Sequence, residues 1–360
     1  MNEIKQAFQK NNIPVVFATD ENFVLYLSVA LQSLVEHSSP AQNYDIIILE
    51  EHLNSEQKKM LQSLLNRENF SLRFINMTPW IEEQGRNRFY LHSHFSVATY
   101  YRLFICDILK NYEKIIYLDG DIVLLADLAD LFQIDLGTHY LGATKNLAYV
   151  FSDKYYIQSI LGMSSVENYF QAGVLLLSLQ NMRNDHLSDS FLRCLKQIKQ
   201  PLTVDQDILN SVCEGHVLYL PQEWNYRWQH GDILKRNAAK RPDLYQAYQD
   251  AEKNMKIIHY ASTLKPWNSP EEKYSDLWWQ YAEKTPFSQQ IHFNSLFAQI
   301  HFLKEENRRL SLELQQVYHS IPWRVTWPLR ALYDFLKYQI TPIFHLTSGK
   351  IKIKKRKGNF

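Results

Sequence analysis

Two carboxylates stand two residues apart in Asp119-Gly-Asp121, directly after the apolar run Lys114-Ile-Ile-Tyr-Leu118. In extended backbone, side chains at i and i+2 point to the same face. Such a pair can hold a hard divalent cation, magnesium or manganese, and leave positions open for water or phosphate oxygens. Gly120 lets another group come close to the backbone between them. Taken alone, the triplet is a weak signal, and a solvated turn is the commoner reading of one. A second segment, His259-Tyr-Ala-Ser-Thr-Leu-Lys265-Pro-Trp267, also follows an apolar strand. A neutral imidazole suits manganese, and the ammonium further along suits a phosphate. Together the segments describe a site in which Asp119, Asp121 and His259 hold one metal ion that faces a diphosphate beside Lys265. A third segment, Val204-Asp-Gln-Asp-Ile-Leu-Asn210, is a carboxylate-rich turn that enters a helix.

The elements that must position these groups alternate. Strands are expected at 13–19, 44–49, 71–75, 114–118, 173–178 and 256–259, each a short apolar run. Helices are expected at 25–34, 56–65 (capped by Ser55 or Asn54), 99–108 and 184–198. Strand alternating with helix is the signature of a parallel, doubly wound α/β sheet with helices on both faces. Ligands bind such sheets at the carboxyl ends of strands. Two of those ends, Asp20-Glu-Asn22 and Asp119-Gly-Asp121, are acidic.

Composition narrows the class. The 360 residues are 46% hydrophobic and 21% charged, which permits a full core and excludes global disorder. The net charge of +1 excludes a chain that is basic throughout, so no nucleic-acid partner is expected. Cys106, Cys194 and Cys213 have no CxxC spacing, which argues against a disulfide framework and a structural zinc site. The N-terminus shows no apolar leader, and no stretch of 18 apolar residues occurs. A cytoplasmic compartment is therefore expected.

The motifs, in their order, resemble glycosyltransferase family 8, which includes bacterial lipopolysaccharide galactosyl- and glucosyltransferases and glycogenin. The resemblance rests on Phe-Ala-Thr-Asp20-Glu-Asn22, Ser-Val-Ala-Thr-Tyr-Tyr-Arg102-Leu, Asp119-Gly-Asp121, Asn168-Tyr-Phe-Gln-Ala-Gly-Val-Leu-Leu176, Asp205-Gln-Asp-Ile-Leu-Asn210 and His259…Lys265-Pro-Trp267. It covers about 13–285 and implies a GT-A fold, a Rossmann-like mixed sheet flanked by helices. It implies a retaining, Mn²⁺-dependent transfer (Mg²⁺ as substitute) of glucose or galactose from a UDP-hexose to a glycan or glycolipid acceptor. By position, Asp119, Asp121 and His259 match the metal ligands, and Asp20 and Asn22 the uridine contacts. Arg102 and Asp205 match contacts around the donor sugar, Gln206 the residue below the anomeric carbon, and Lys265 the diphosphate clamp. Gln171, Asp207 and Ser262 complete the donor site. A structural ion pair is the other reading of Arg102, and a helix-start cap that of Asp207. Gln171 and Asn146 depart from the family's usual Asn and Asp, which leaves the donor hexose open; Ser262 in place of the usual Gly asks for a slightly wider phosphate loop, with its backbone N–H still there for phosphate. With Gln at 206, front-face attack is the preferred route to retention and Asp205 as nucleophile the alternative. A metal-dependent nucleotidyltransferase and a non-catalytic sugar-nucleotide-binding protein remain as other classes.

Three segments are expected: a catalytic domain over 1–286, a coiled-coil-like helix over 287–319, and an amphipathic helix with a basic tail over 320–360. Within 293–317, heptad positions a and d hold Phe293, Leu296, Ile300, Leu303, Asn307, Leu310, Leu314 and Val317. A single Asn at an a position fixes register in paired helices, so a homodimer is one reading. A helix packed on its own domain is the other. No acid follows Asp334, while the last 26 residues carry seven basic groups. The rest of the chain is left with 32 basic and 38 acidic residues. Ser320-Ile-Pro-Trp-Arg-Val-Thr-Trp-Pro-Leu-Arg330 resembles a segment appended to bacterial surface-polysaccharide glycosyltransferases. An apolar stripe over 328–340 and six basic groups in 350–357 then read as a helix lying on an anionic cytoplasmic leaflet. That places the protein at the inner face of the cell membrane as a peripheral protein. A soluble basic tail is the other reading.

Overall fold

The computed structural model describes residues 4–92, 95–152 and 154–347. The chain divides into two units, Met1–Leu296 and Phe297–Phe360. The first unit is built on strands β1 (Asn12–Asp20), β2 (Asn43–Glu51), β3 (Phe70–Asn76), β4 (Lys114–Leu118), β5 (Ile122–Leu124), β6 (Leu141–Ala143), β7 (Val174–Ser178), β8 (Val217–Tyr219) and β9 (Ile257–His259). Seven of them form one sheet in the order β3-β2-β1-β4-β7-β6-β8, and β5 and β9 form a separate pair.

The half from β3 to β4 is parallel, as the alternation of strands and helices predicts. The all-parallel expectation fails beyond it, because β7 runs antiparallel to both β4 and β6. The sheet is therefore mixed, as in a GT-A fold. Four strands, β5, β6, β8 and β9, have three residues each. Runs that short carry no readable periodicity.

Helix Ser55–Leu64 starts on a capping box: Asn54 accepts from Gln57 N–H, and the Gln57 side chain returns the bond to Asn54 N–H. Asn54, not Ser55, is the cap. The helix expected over 99–108 is 3₁₀ over Val97–Phe104 and α over Ile105–Ile108. The helix expected over 184–198 is two helices, Leu179–Asn184 and Leu187–Gln197, separated at His186 in left-handed conformation. Two apolar layers sandwich the sheet. One gathers Phe17, Leu27, Leu31 and Trp278, the other Val16, Tyr101, Phe104 and Ile208. All three cysteines are buried and free.

The second unit lies within two helices, Ser288–His319, whose first residues belong to the first unit, and Ile321–Thr347. The apolar a and d residues of the 293–317 stripe are 42–69% exposed. Pro322, not Pro328, stands in the first turn of the last helix, so Pro328 is internal to it. No helix among the described residues is long and apolar enough to cross a membrane. The basic cluster at 350–357 lies outside the described residues.

Candidate active site and metal centre

β4 delivers Asp119 and Asp121 at its carboxyl end, and β5 follows at once. β5 pairs with β9 so that Ile122 stands opposite His259. That register carries the imidazole to Asp121 from a residue 138 positions away, counted along the sequence. His259 Nε2 lies 3.2 Å from Asp121 Oδ1 and 3.7 Å from Asp119 Oδ2. One ligand atom from each of the three residues falls within 4.8 Å of the others. His259 Nδ1 is 2.9 Å from Asn225 Oδ1, an oxygen that only accepts. The proton is thereby assigned to Nδ1, and the Nε2 lone pair faces two carboxylates. Three electron-rich atoms converging this way fit a cation between them. Gly173 makes room for the arrangement: a Cβ there would stand 2.1 Å from His259 Cε1 and 2.8 Å from Asp119 Oδ2. The close approach expected beside Gly120 is filled by Phe23, whose ring would meet a Cβ at 3.0 Å.

Lys265 crosses the same centre. Its Nζ bonds Asp121 Oδ2 and, at 2.7 Å, the Tyr260 carbonyl. Burial opposes the charge on Asp121, yet Lys265 beside it holds its carboxyl well below the usual carboxylate range. Arg102 is buried between two acids, 2.7 Å from Asp119 and 2.9 Å from Asp205, with its guanidinium 4.4 Å over the Tyr117 ring. Burial works against the Arg102 charge, but Asp119 and Asp205 outweigh it and raise its pKa. Burial pushes Asp205 up to about 6 even though Arg102 pulls it down. The ion-pair reading of Arg102 is thus realised within the cleft, and the group also donates to the Ala172 carbonyl at 2.6 Å.

Asp205 and Gln206 owe their position to Val204, which is fully buried at φ 47°. A β-branched residue in that region is strained by about 1–3 kcal/mol. The turn aims the first residues of helix Asp205–Cys213 into a cleft of about 310 Å³. Gln206 Oε1 accepts from Ala172 N–H at 3.0 Å, and its amide donates to the Tyr169 hydroxyl at 3.1 Å. Asp205 receives the Thr99 hydroxyl.

Ten of the residues singled out in the sequence line this one cleft: Arg102, Asp119, Asp121, Asn146, Gln171, Asp205, Gln206, His259, Ser262 and Lys265. Three do not. Asp207 is buried and spent on the hydroxyls of Tyr156, Tyr169 and Thr203 and on Thr203 N–H. It orders Tyr169, and through it Gln206, instead of meeting a ligand. Asp20 caps the turn after β1 by accepting from Asn22 and Phe23 N–H, and Asn22 is exposed. Ser262 lines the cleft, but its N–H, expected to be open to phosphate, donates to the Tyr260 carbonyl at 2.9 Å.

Several groups in or behind the cleft escaped the sequence reading. Thr99, Tyr149, Gly173, Thr203 and Arg227 line it, and Asn225 orients His259 from behind. Thr99 and Gly173 stand inside the motifs at 96–103 and 168–176 with no role assigned to them there, and Tyr149, Thr203, Asn225 and Arg227 stand outside every motif. Asn146 is buried in the cleft, with neither polar side-chain atom partnered.

Comparison with known proteins agrees with this geometry. The profile of glycosyl transferase family 8 matches residues 14–271. A putative glycosyltransferase of Haemophilus influenzae is 26% identical over 283 residues, 76% of this chain and 84% of that protein. The lipopolysaccharide 1,2-glucosyltransferase of Escherichia coli is 26% identical over 193 residues, 50% of this chain and 53% of its own length. The solved structure of the galactosyltransferase LgtC, in complex with donor and acceptor sugar analogues, superposes with a TM-score of 0.63 at 25% identity. The match covers 76% of this chain and 96% of that one.

Proposed function

We propose, on the premise that this chain belongs to glycosyl transferase family 8, that it moves glucose or galactose from a UDP-hexose to a glycan acceptor with retention at the anomeric carbon. The observation that carries this reading is the convergence of Asp119, Asp121 and His259 within one cleft, with Lys265 beside them. A divalent ion, Mn²⁺ before Mg²⁺ given the imidazole, would be held by these three residues and would supply Lewis-acid neutralisation of the leaving diphosphate. Asn225 keeps the His259 Nε2 lone pair directed at that position. Lys265 adds a point charge where negative charge grows as the sugar leaves. Asp20 and Asn22, at the carboxyl end of β1, remain the candidates for uridine. Asn146 and Gln171 are the candidates for the hexose hydroxyls, because Asn146 has two buried polar atoms that a sugar could partner.

Retention calls for either a nucleophile or attack from the leaving-group face. The Gln206 carbonyl oxygen already accepts from Ala172 N–H, and Asp205 is engaged by Thr99 and Arg102. An amide oxygen is a poor nucleophile, which supports front-face attack, and Asp205, whose Oδ2 accepts no hydrogen bond, is the alternative nucleophile. In that step the bond from the anomeric carbon to the β-phosphate oxygen breaks, and its electron pair stays on the oxygen. The acceptor hydroxyl forms the new bond and passes its proton to that same oxygen.

The product is assigned to a bacterial surface polysaccharide or lipopolysaccharide, and the acceptor to a lipid-linked glycan at the inner membrane face. The exposed stripe of 293–317 supports a homodimer through paired helices. The test of the central reading is a donor panel of nucleotide sugars with the purified protein and Mn²⁺, followed by free nucleotide. Release of UDP from UDP-glucose or UDP-galactose, abolished by EDTA, is the expected result. Pyrophosphate as product would replace the transferase reading with a nucleotidyltransferase. No nucleotide release from any sugar would favour a binding protein.

A further inference from the structure

The cleft is lined by three carboxylates, Asp119, Asp121 and Asp205, and by three full cations, Arg102, Lys265 and Arg227. Two of the cations are committed. Arg102 lies between Asp119 and Asp205, and Lys265 bonds Asp121. Arg227 is different. Among the described residues no ion pair reaches it, its Nε is buried with no hydrogen-bond partner, and Nη2 donates only to the Ala261 carbonyl at 2.8 Å. Burial pushes its pKa down to about 10, so it keeps its charge at neutral pH in a place that resists charge. An unpaired buried guanidinium is costly unless something in the working state completes it.

Its surroundings say what that something is. Residues 225–227 run beside β9, with Tyr226 bridged to Ile258 and His259 N–H bonded to the Tyr226 carbonyl. The Arg227 side chain therefore reaches the loop Ala261–Thr263, which connects the metal ligand His259 to the clamp Lys265. Across the cleft, Tyr149 interacts with it electrostatically. It thus stands between the diphosphate end and the hexose end. Charge then separates two occupants of the sugar end, an uncharged hexose and an acidic sugar, each on the same diphosphate. The three lining acids and three lining cations cancel. A divalent ion cancels the diphosphate of a UDP-hexose. A sugar carboxylate would leave one negative charge over, whereas a neutral hexose leaves none until the sugar–phosphate bond breaks.

We propose that Arg227 is a second cationic catalytic residue, donating to the β-phosphate of the nucleotide and neutralising the charge that gathers there as the hexose departs. This rests on the UDP-hexose reading above. Arg is suited to the task because its planar fork binds phosphate oxygens bidentately.

The test compares UDP with UMP, which lacks the β-phosphate. Wild type, Arg227→Gln and Arg227→Lys are titrated calorimetrically with each nucleotide in Mn²⁺, and again in EDTA. Thermal melting checks the fold of each variant. Arg227→Gln is expected to bind UDP roughly 10- to 100-fold more weakly, as loss of a charge-assisted hydrogen bond gives. Its UMP affinity should stay within about twofold, and Arg227→Lys should retain most of the UDP preference. Its kcat for UDP release should fall on the order of 10²-fold, more than the donor KM rises. Equal losses for UDP and UMP, or no loss for either, overturn the assignment and leave the glycosyltransferase reading standing. Wild-type protein that binds neither nucleotide overturns that reading itself, and the assignment with it. If Arg227→Gln fails to fold, a Lys variant that folds yet has lost the preference for UDP over UMP overturns the assignment.

Discussion

Asp205 is the residue whose chemistry and stability pull in opposite directions. Burial raises its pKa to about 6, against about 3.9 for the free side chain, so the native state binds the proton more tightly than the unfolded chain. Stability is then lost as pH rises from about 4 to 6 and is constant above that window. Asp205→Asn has no such term. Its stability relative to wild type should grow across pH 4–6 and stay level above, while turnover is lost. Melting curves at pH 4, 5, 6 and 7.5 check this. A difference that does not vary with pH would mean that Arg102 fully offsets burial. Lys265 gives a second case. Its charge faces a diphosphate whose charge increases in the transition state, so Lys265→Ala should lower kcat on the order of 10²-fold and raise the donor KM less. A raised KM with unchanged kcat would confine Lys265 to ground-state binding. Because Lys265 also neutralises buried Asp121, the variant should melt lower as well, and the kinetics must be read at a temperature where it is folded.

At the scale of elements, the metal centre depends on two strands that lie side by side only because β5 and β9 pair. The tight packing there is set by Gly173, which begins the turn of chain into β7. Gly173→Ala should push the His259 ring off its place, since even the far edge of the ring cannot yield the required ångström without leaving Asn225. Metal affinity, read by Mn²⁺ titration, should fall at least about tenfold, as for loss of an outer-shell partner. Unchanged affinity would show that the ring moves freely. The same elements show how far the sequence could be read. Asp119 and Asp121 were legible because the triplet directly follows the apolar run of β4, His259 because Lys265-Pro-Trp267 follows it at the motif's spacing, and β1 to β4 because their runs alternate with helical spacing. The antiparallel entry of β7 was not, because an apolar strand looks the same in either direction. The structural bonds of Asp207 were not legible, because a carboxylate in a motif does not reveal that three tyrosine and threonine hydroxyls will claim it. Arg227 and Asn225 were invisible because their importance comes from the register of β9, not from their neighbours in sequence.

For the whole molecule, the proposed lipid-linked acceptor requires a way to the membrane other than a crossing helix, since none occurs among the described residues. The last described helix exposes Leu329, Leu332, Tyr333 and Leu336 on one face, a stripe of apolar and amphipathic groups. Beyond it the sequence places six basic groups in 350–357. Each basic group near an anionic surface contributes about 1 kcal/mol, and the attraction fades within a Debye length as salt rises. The apolar stripe is modest, so neither part holds firmly alone and attachment should be reversible. The protein should co-sediment with anionic vesicles at low salt, come off at high salt, and ignore neutral vesicles. Deletion of 328–360 should abolish sedimentation and leave hydrolysis of the UDP-hexose intact, because every residue assigned to the cleft precedes Trp267. Sedimentation that survives the deletion would move the membrane contact into the first 327 residues. Indifference of the full chain to lipid charge would give the basic tail to a protein partner instead.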